Sequence, residues 1–163
     1  QPVGAFFDYF LDEKGEPIPE RAGDFAKEIG IINIGTNTVD LMVIRKSQLV
    51  LRLTQGEKLG TRRLFELLNQ GGLYTLAEMD ERLRNGELNI SEALPIWARE
   101  VFGFIENRWG HLTKRFARII AVGGGAILLS QYLARLPKVW LPQEPILAQA
   151  RGLFKYAIGK AQR

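Results

Sequence analysis

Ile119-Ile120-Ala121-Val122-Gly123-Gly124-Gly125-Ala126 sets four apolar residues against three glycines and an alanine. The apolar part reads as a buried strand, Arg118 to Val122, and Ala126 to Leu136 has the periodicity of a helix. Glycines between a strand and a helix leave no side chains in the way of a flat ligand, so backbone can approach a base or a sugar closely. The stretch is not a dinucleotide fingerprint, which needs a further glycine and a later acidic residue. Nor is it a P-loop, because no Gly-Lys-Ser/Thr follows. Tight strand-to-helix packing is its plain structural alternative.

A second glycine-bearing turn lies upstream. Ile29 to Ile34 is a short β-branched run, Gly35-Thr36-Asn37-Thr38 interrupts it, and Val39 to Ile44 resumes it, with Ser47-Gln48 leading into Leu49 to Leu53. Three consecutive strands, two of them hairpins, fit this pattern. A hairpin tip with Gly35 and three residues rich in hydroxyl, amide and main-chain donors can grip phosphate oxygens; it can equally be an ordinary polar loop. Asp40, at the start of the second strand, suits hydrogen bonding that holds the loop's shape better than direct chemistry.

Working outward, Val3, Phe6, Phe7 and Phe10 recur at helical spacing before turn residues from Asp12 to Pro19. Gly56 and Gly60 punctuate the entry to a helix over Thr61 to Asn69, and Leu76 to Leu83 forms a shorter helix closed by Asn85-Gly86. Ser91 is placed to cap a long helix to about Leu112, with Trp97 and Trp109 as core anchors and His111 at its end. Val139 to Leu141 reads as a last short strand and Ile146 to Ala161 as a closing helix. The expectation is a single α/β domain over 1–163: a first helix and loop (1–28), hairpins with the Gly35 turn (29–55), a helical part (56–117), and the Gly123 turn with the closing helix (118–163).

With 163 residues, 46% hydrophobic and 25% charged, the chain can bury a core and is not compositionally disordered. The absence of cysteine excludes disulfides and thiol catalysis, and a lone histidine argues against a nitrogen/sulfur metal site. No segment is long and apolar enough to span a bilayer, and the expected compartment is cytoplasmic. The net charge of +4 is a weak pointer to a polyanionic partner, and Arg62-Arg63, Lys114-Arg115 and Arg118 raise a DNA-binding module as one reading, although scattered basic pairs are more often a solvated surface.

Taken in order, these pieces resemble the actin, sugar-kinase and heat-shock-chaperone ATPase superfamily, a ribonuclease H-like mixed sheet flanked by helices. Ile31 to Leu41 is similar to its second phosphate motif and Ile119 to Leu129 to its adenosine motif. Gln1 to Phe7 resembles the linking helix into the second domain. Ile146 to Leu153 resembles the closing helix of the plasmid-segregation (ParM-like) and archaeal actin-like branch. The resemblance implies the second domain of a two-domain ATPase, binding ATP or GTP with Mg²⁺ between its domains and self-associating into filaments in plasmid/DNA segregation or a cytoskeletal role, through a possible DNA-bound adaptor. It implies that Gly35, Thr36, Asn37 and Thr38 face the phosphates, that Gly123, Gly124, Gly125 and Ala126 lie against the adenosine, that Gly56 is near the ribose, and that Arg82 is an adenine-side contact whose plain alternative is a solvated helix face.

Two departures qualify that expectation. Asn33 stands where the family carries an aspartate that organises metal-bound water, and an amide cannot supply that charge or relay a proton. The family's first phosphate motif, an Asp-Ile-Gly hairpin, is not among these residues, and the chain opens on Gln1. The expectation is therefore a domain cut from a longer protein, inactive and weak or undetectable in nucleotide affinity by itself. Alternatives are a non-hydrolysing nucleotide-dependent switch or assembly subunit, and a sugar- or acid-kinase-like phosphotransferase.

Overall fold

The computed structural model describes residues 2–161. Gln1, which opens the linking-helix motif, lies outside the described residues. The centre is strand β1 (Glu28–Ile34), which pairs antiparallel with β2 (Val39–Arg45) on one side and parallel with β5 (Arg118–Val122) on the other. Short strands extend the sheet: β3 (Gln48–Leu49) and β4 (Gln55–Glu57) both pair with β2, and β6 (Val139–Trp140) pairs with β5.

The nearly unbroken apolar run of β1 follows from its central place, because a strand covered on both faces has no solvent side to mark with polar residues. Ile32 and Ile34 point into the core under helix α5 (Ala93–Arg108), which also gathers α3 (Thr61–Leu68) and α6 (Gly124–Leu128). Ile29 and Ile31 point into the opposite core, with Phe6, Tyr9 and Phe10 of α1 (Val3–Phe10). The closing helix α8 (Ala148–Ala161) lies along α1, and the two are joined by a buried ion cluster. Asp8 accepts from Arg151 Nε at 2.8 Å and Nη2 at 2.6 Å, and Lys155 Nζ lies 2.9 Å from the same carboxylate. Burial pushes the Asp8 carboxyl upward, but Arg151 and Lys155 outweigh it and hold the group below its ordinary value.

Several elements differ from the sequence reading. Leu49 to Leu53 is not one strand: pairing stops at Leu49, and Leu51–Leu53 forms a 3₁₀ turn with Leu51 in solvent. The C-terminal end of α5 captures this segment, since the Trp109 indole N–H donates to the Leu53 carbonyl at 2.9 Å and Arg108 donates to that of Thr54 at 3.3 Å. Gly56 sits inside β4 opposite Asp40, so it is not simple punctuation. Ser91 does not cap the long helix; that helix starts at Ala93 after Glu92 and ends at Arg108, and Gly110–Lys114 forms a 3₁₀ turn containing His111. The helix expected over Ala126 to Leu136 starts earlier, at Gly124, and breaks at Leu129 into α6 and α7 (Ser130–Leu133). A short helix α2 (Ala22–Phe25) had no counterpart in the sequence reading, whereas α4 (Leu76–Arg84) matches it closely and begins with a Thr75–Glu78 capping box.

Candidate functional site

β1 and β5 run parallel as neighbours, with Asn33 in register with Val122, so their carboxyl ends deliver both glycine-bearing turns to the same sheet edge. Ligands of open α/β sheets gather at such edges.

The first turn is shaped by hydrogen bonds. Gly35 N–H donates to the Thr38 carbonyl at 2.9 Å, which closes the hairpin. The carbonyls of Gly35, Thr36 and Asn37 accept from the amides of Thr61 at 3.0 Å, Arg62 at 2.8 Å and Gly60 at 3.3 Å, at the start of α3. In a trans peptide the N–H opposes the C=O. Carbonyls drawn toward α3 therefore turn the amides of Thr36, Asn37 and Thr38 the other way, and among the described residues none of the three donates to a backbone acceptor. Successive free amides of this kind form an anion-binding concavity. Gly60 makes the approach possible, since a Cβ there would lie 2.5 Å from the Thr36 carbonyl carbon.

Below the turn, Asp40 Oδ2 accepts from Thr38 Oγ1 at 3.1 Å and from Asn33 Nδ2 at 3.3 Å, while Gln149 of α8 donates to Asn33 Oδ1 at 2.8 Å. The Thr38 hydroxyl proton is thereby committed to Asp40, which leaves the Thr38 amide, and not its hydroxyl, as the donor toward an anion. Both polar ends of the Asn33 amide are occupied.

The second turn is shaped by the lack of side chains. Gly123 has φ +91°, a conformation that favours glycine, and a Cβ on it would sit 2.9 Å from the Ile34 carbonyl carbon. A Cβ on Gly125 would overlap the Ile34 side chain and lie 3.1 Å from the Trp97 ring. On Gly124 it would meet only Ile146 Cγ1, at 4.0 Å. Two of the three glycines are thus explained by packing, and the middle one leaves a surface open.

Gly35, Thr36, Gly124 and Gly125 form the floor of one cleft of about 470 Å³. Phe65 of α3, Leu83 of α4 and Ile127 of α6 give it apolar walls, and an Asp80–Arg84 ion pair of 2.9 Å stands among its lining residues. Apolar walls over a floor of backbone amides suit a flat heterocycle carrying an anionic tail. The other residues singled out in the sequence lie elsewhere. Ala126 is buried in the α5-side core. Asn33, Asp40 and Gly56 border a separate hollow of about 450 Å³ beside Gln149. Arg82 lies 4.4 Å from the Tyr74 ring centre, outside the residues that line the cleft. Asn37 is exposed at the tip of the turn, and Thr38 is half-buried against Asp40. Sequence reasoning gave Gly60 only a punctuating role and passed over Gln149, whose partner Asn33 is 116 positions away. It also passed over Phe65, Leu83 and Ile127 as cleft walls.

No protein-family model matches the chain, and no curated protein does. Solved structures do. The apo psk41 ParM protein superposes with a TM-score of 0.76 at 18% identity, over 99% of this chain and 48% of its own. The archaeal actin homologue Ta0583 in complex with ADP gives 0.74 at 16% identity, over 100% of this chain and 56% of its own. A 15-stranded ParM filament from Clostridium botulinum gives 0.62 at 18% identity, over 98% of this chain and 51% of its own. The chain has the fold shared by these actin-like proteins and spans about half their length.

Proposed function

We propose that this chain is the second-domain wall of the nucleotide cleft in an actin-like, filament-forming ATPase. The observation that carries the reading is that Gly35 and Thr36 of the first turn and Gly124 and Gly125 of the second line one cleft at the carboxyl ends of β1 and β5. An actin homologue of the same fold was solved with ADP, and a ParM of the same fold as a filament, which supports it. On this reading self-association, a DNA-bound adaptor, a plasmid-segregation or cytoskeletal role and a cytoplasmic setting belong to the two-domain protein. Among the described residues no helix is long and apolar enough to cross a membrane.

The residues fit ATP or GTP. The amides of Thr36, Asn37 and Thr38 hold phosphate oxygens, the bare backbone of Gly124 lets the nucleoside approach, and Phe65, Leu83 and Ile127 keep water from the base. Among the described residues no three carboxylate or imidazole groups gather, so Mg²⁺ enters with the phosphates and its water shell. The bound magnesium nucleotide supplies the electrophilic phosphorus and the metal's charge. Amide spectra (¹⁵N HSQC) of the chain titrated with Mg-ATP and Mg-GTP test this reading. Millimolar binding with shifts centred on Thr36, Asn37, Thr38, Gly124 and Gly125 is expected; shifts elsewhere, or none at saturation, overturn it.

Asn33 favours a second reading, a nucleotide-dependent switch that hydrolyses slowly. Its amide is held between Asp40 and Gln149 and takes up no proton at neutral pH. Phosphate release by the two-domain protein should rise in Asn33→Asp; equal, high turnover in both forms excludes this reading.

A further inference from the structure

The sheet end opposite the cleft is basic for topological reasons. Glu28 opens β1 beside Arg45 at the end of β2, Ile29 is in register with Arg118 at the start of β5, and Ile119 with Val139 in β6, just after Lys138. The order β2–β1–β5–β6 thus brings Lys27, Arg45, Lys46, Arg115 and Lys138 to one end, and Arg52 joins them across a hollow of about 320 Å³ that Arg115, Glu28, Leu53 and Leu112 also line. All six cationic residues are exposed.

The acids at this end lie underneath. The Glu28 side chain is 12% exposed, against 61% for Arg45 and 66% for Arg115, and its carboxylate lies 4.0 and 3.9 Å from the two guanidiniums. Contacts of that length leave most guanidinium donors unspent. Arg118 lies 3.7 Å from Asp24 and over the Tyr9 ring, Lys27 lies 3.6 Å from the same Asp24, and Lys138 Nζ donates to the Phe116 carbonyl at 3.0 Å, so Arg45, Lys46, Arg52 and Arg115 are the least engaged cations of the row. The outer layer is therefore cationic, although the chain's net charge is only +4.

We propose that this end binds the phosphate backbone of a duplex nucleic acid. Three strand spacings make the row about 14 Å wide. A duplex carries about one charge per 1.7 Å of axis, or about eight over that width. An extended acidic peptide offers at most about one per 3.4 Å. Arginine forks also suit bidentate contact with phosphate.

The test is fluorescence anisotropy of a labelled duplex with the chain across a salt series. Binding should weaken steeply with salt, and Arg45→Gln/Arg52→Gln/Arg115→Gln should lower the log–log salt slope by about 2.7, at about 0.9 per phosphate contact, with affinity about tenfold weaker at low salt. Lys58→Gln/Arg62→Gln/Arg99→Gln removes the same charge toward the opposite end of the sheet and should leave the slope unchanged. Lys27→Gln/Lys46→Gln, which leaves both arginines beside Glu28 in place, should lower the slope by about 1.8 and repeats the test if the first triple variant unfolds. The proposal is overturned by no binding at low salt, by equal loss in both triple variants, by displacement of the duplex by poly-glutamate of equal charge, or by self-association that the first triple variant abolishes while duplex binding persists.

Discussion

The two glycine-bearing turns meet at one cleft and are built on opposite principles. The Gly35–Thr38 turn is held by hydrogen bonds: its carbonyls by α3, Thr38 and Asn33 by Asp40, and Asn33 in turn by Gln149 of α8. The Gly123–Gly125 turn is held by contact, with Gly123 and Gly125 pressed against Ile34 so closely that a methyl group would not fit. The first depends on distant elements staying in place; the second depends on two hydrogen atoms. Ile34, the last residue of β1, is common to both, so the strand that leads into one turn is the surface that shapes the other.

The largest expected effect separates the turns through α8. Asp8→Asn leaves Lys155 and Arg151 without their buried partner at the α1–α8 contact and should cost about 3–5 kcal/mol. Its pH counterpart has a fixed sign. Because the folded-state value is lowered, the Asp8 contribution is fully present above the ordinary carboxyl value near 4 and is lost as pH falls through the lowered value. Urea unfolding of both proteins across acid pH checks it: the stability gap should be widest near neutrality and close at low pH. Amide signals of Asn33 and its neighbours, which α8 supports through Gln149, should broaden in the variant more than those of Gly125.

Gly125→Ala reverses that pattern. The added methyl overlaps the Ile34 side chain and crowds Trp97, an overpacking cost of about 1–3 kcal/mol. Urea unfolding should show it, and spectral changes should centre on the second turn and the end of β1.

Much of this arrangement was legible in the sequence. β1, β2 and β5 announce themselves through β-branched runs, and the glycines between them mark the turns. β4 was not legible because Gln55-Gly56-Glu57 is exposed and polar, and its pairing comes from the free edge of β2 and not from any pattern of its own. The break at Leu51 was hidden because its cause, the Trp109 indole, lies 56 residues along the chain from Leu53. Three identical letters at 123–125 cannot say which glycine is packed and which is open; the Ile34 carbonyl, the Ile34 side chain and empty space decide it. Asn33 read as a missing charge, whereas its bridge from Asp40 to Gln149 needs the fold to bring α8 alongside.

That bridge gives the next, smaller prediction. Asn33→Asp places a second carboxylate where Nδ2 now lies 3.3 Å from Asp40 Oδ2, so the pair holds a proton to higher pH than either acid alone. A raised folded-state value means stability lost as pH rises, so the variant should match the parent in acid and fall behind by about 1 kcal/mol at neutral pH. A variant equally stable at both pH values would mean that the carboxylates move apart, and that the first turn is less tightly held than its hydrogen bonds imply.

The smallest effect is the most informative about function. Gly124→Ala adds a methyl whose nearest neighbour is Ile146 Cγ1 at 4.0 Å, an ordinary contact, and Gly124 has no positive φ. Stability should hold, or rise by less than about 1 kcal/mol as the unfolded chain loses freedom. The methyl nevertheless stands on the cleft floor where backbone is otherwise bare, so the shifts caused by Mg-ATP should shrink while the protein folds as before. Gly125→Ala damages the fold and Gly124→Ala damages only the cleft: if the two behave alike in urea, the division of the second turn into packed and open glycines is wrong. If Gly124→Ala folds normally and binds nucleotide as the parent does, the open glycine does not face the ligand.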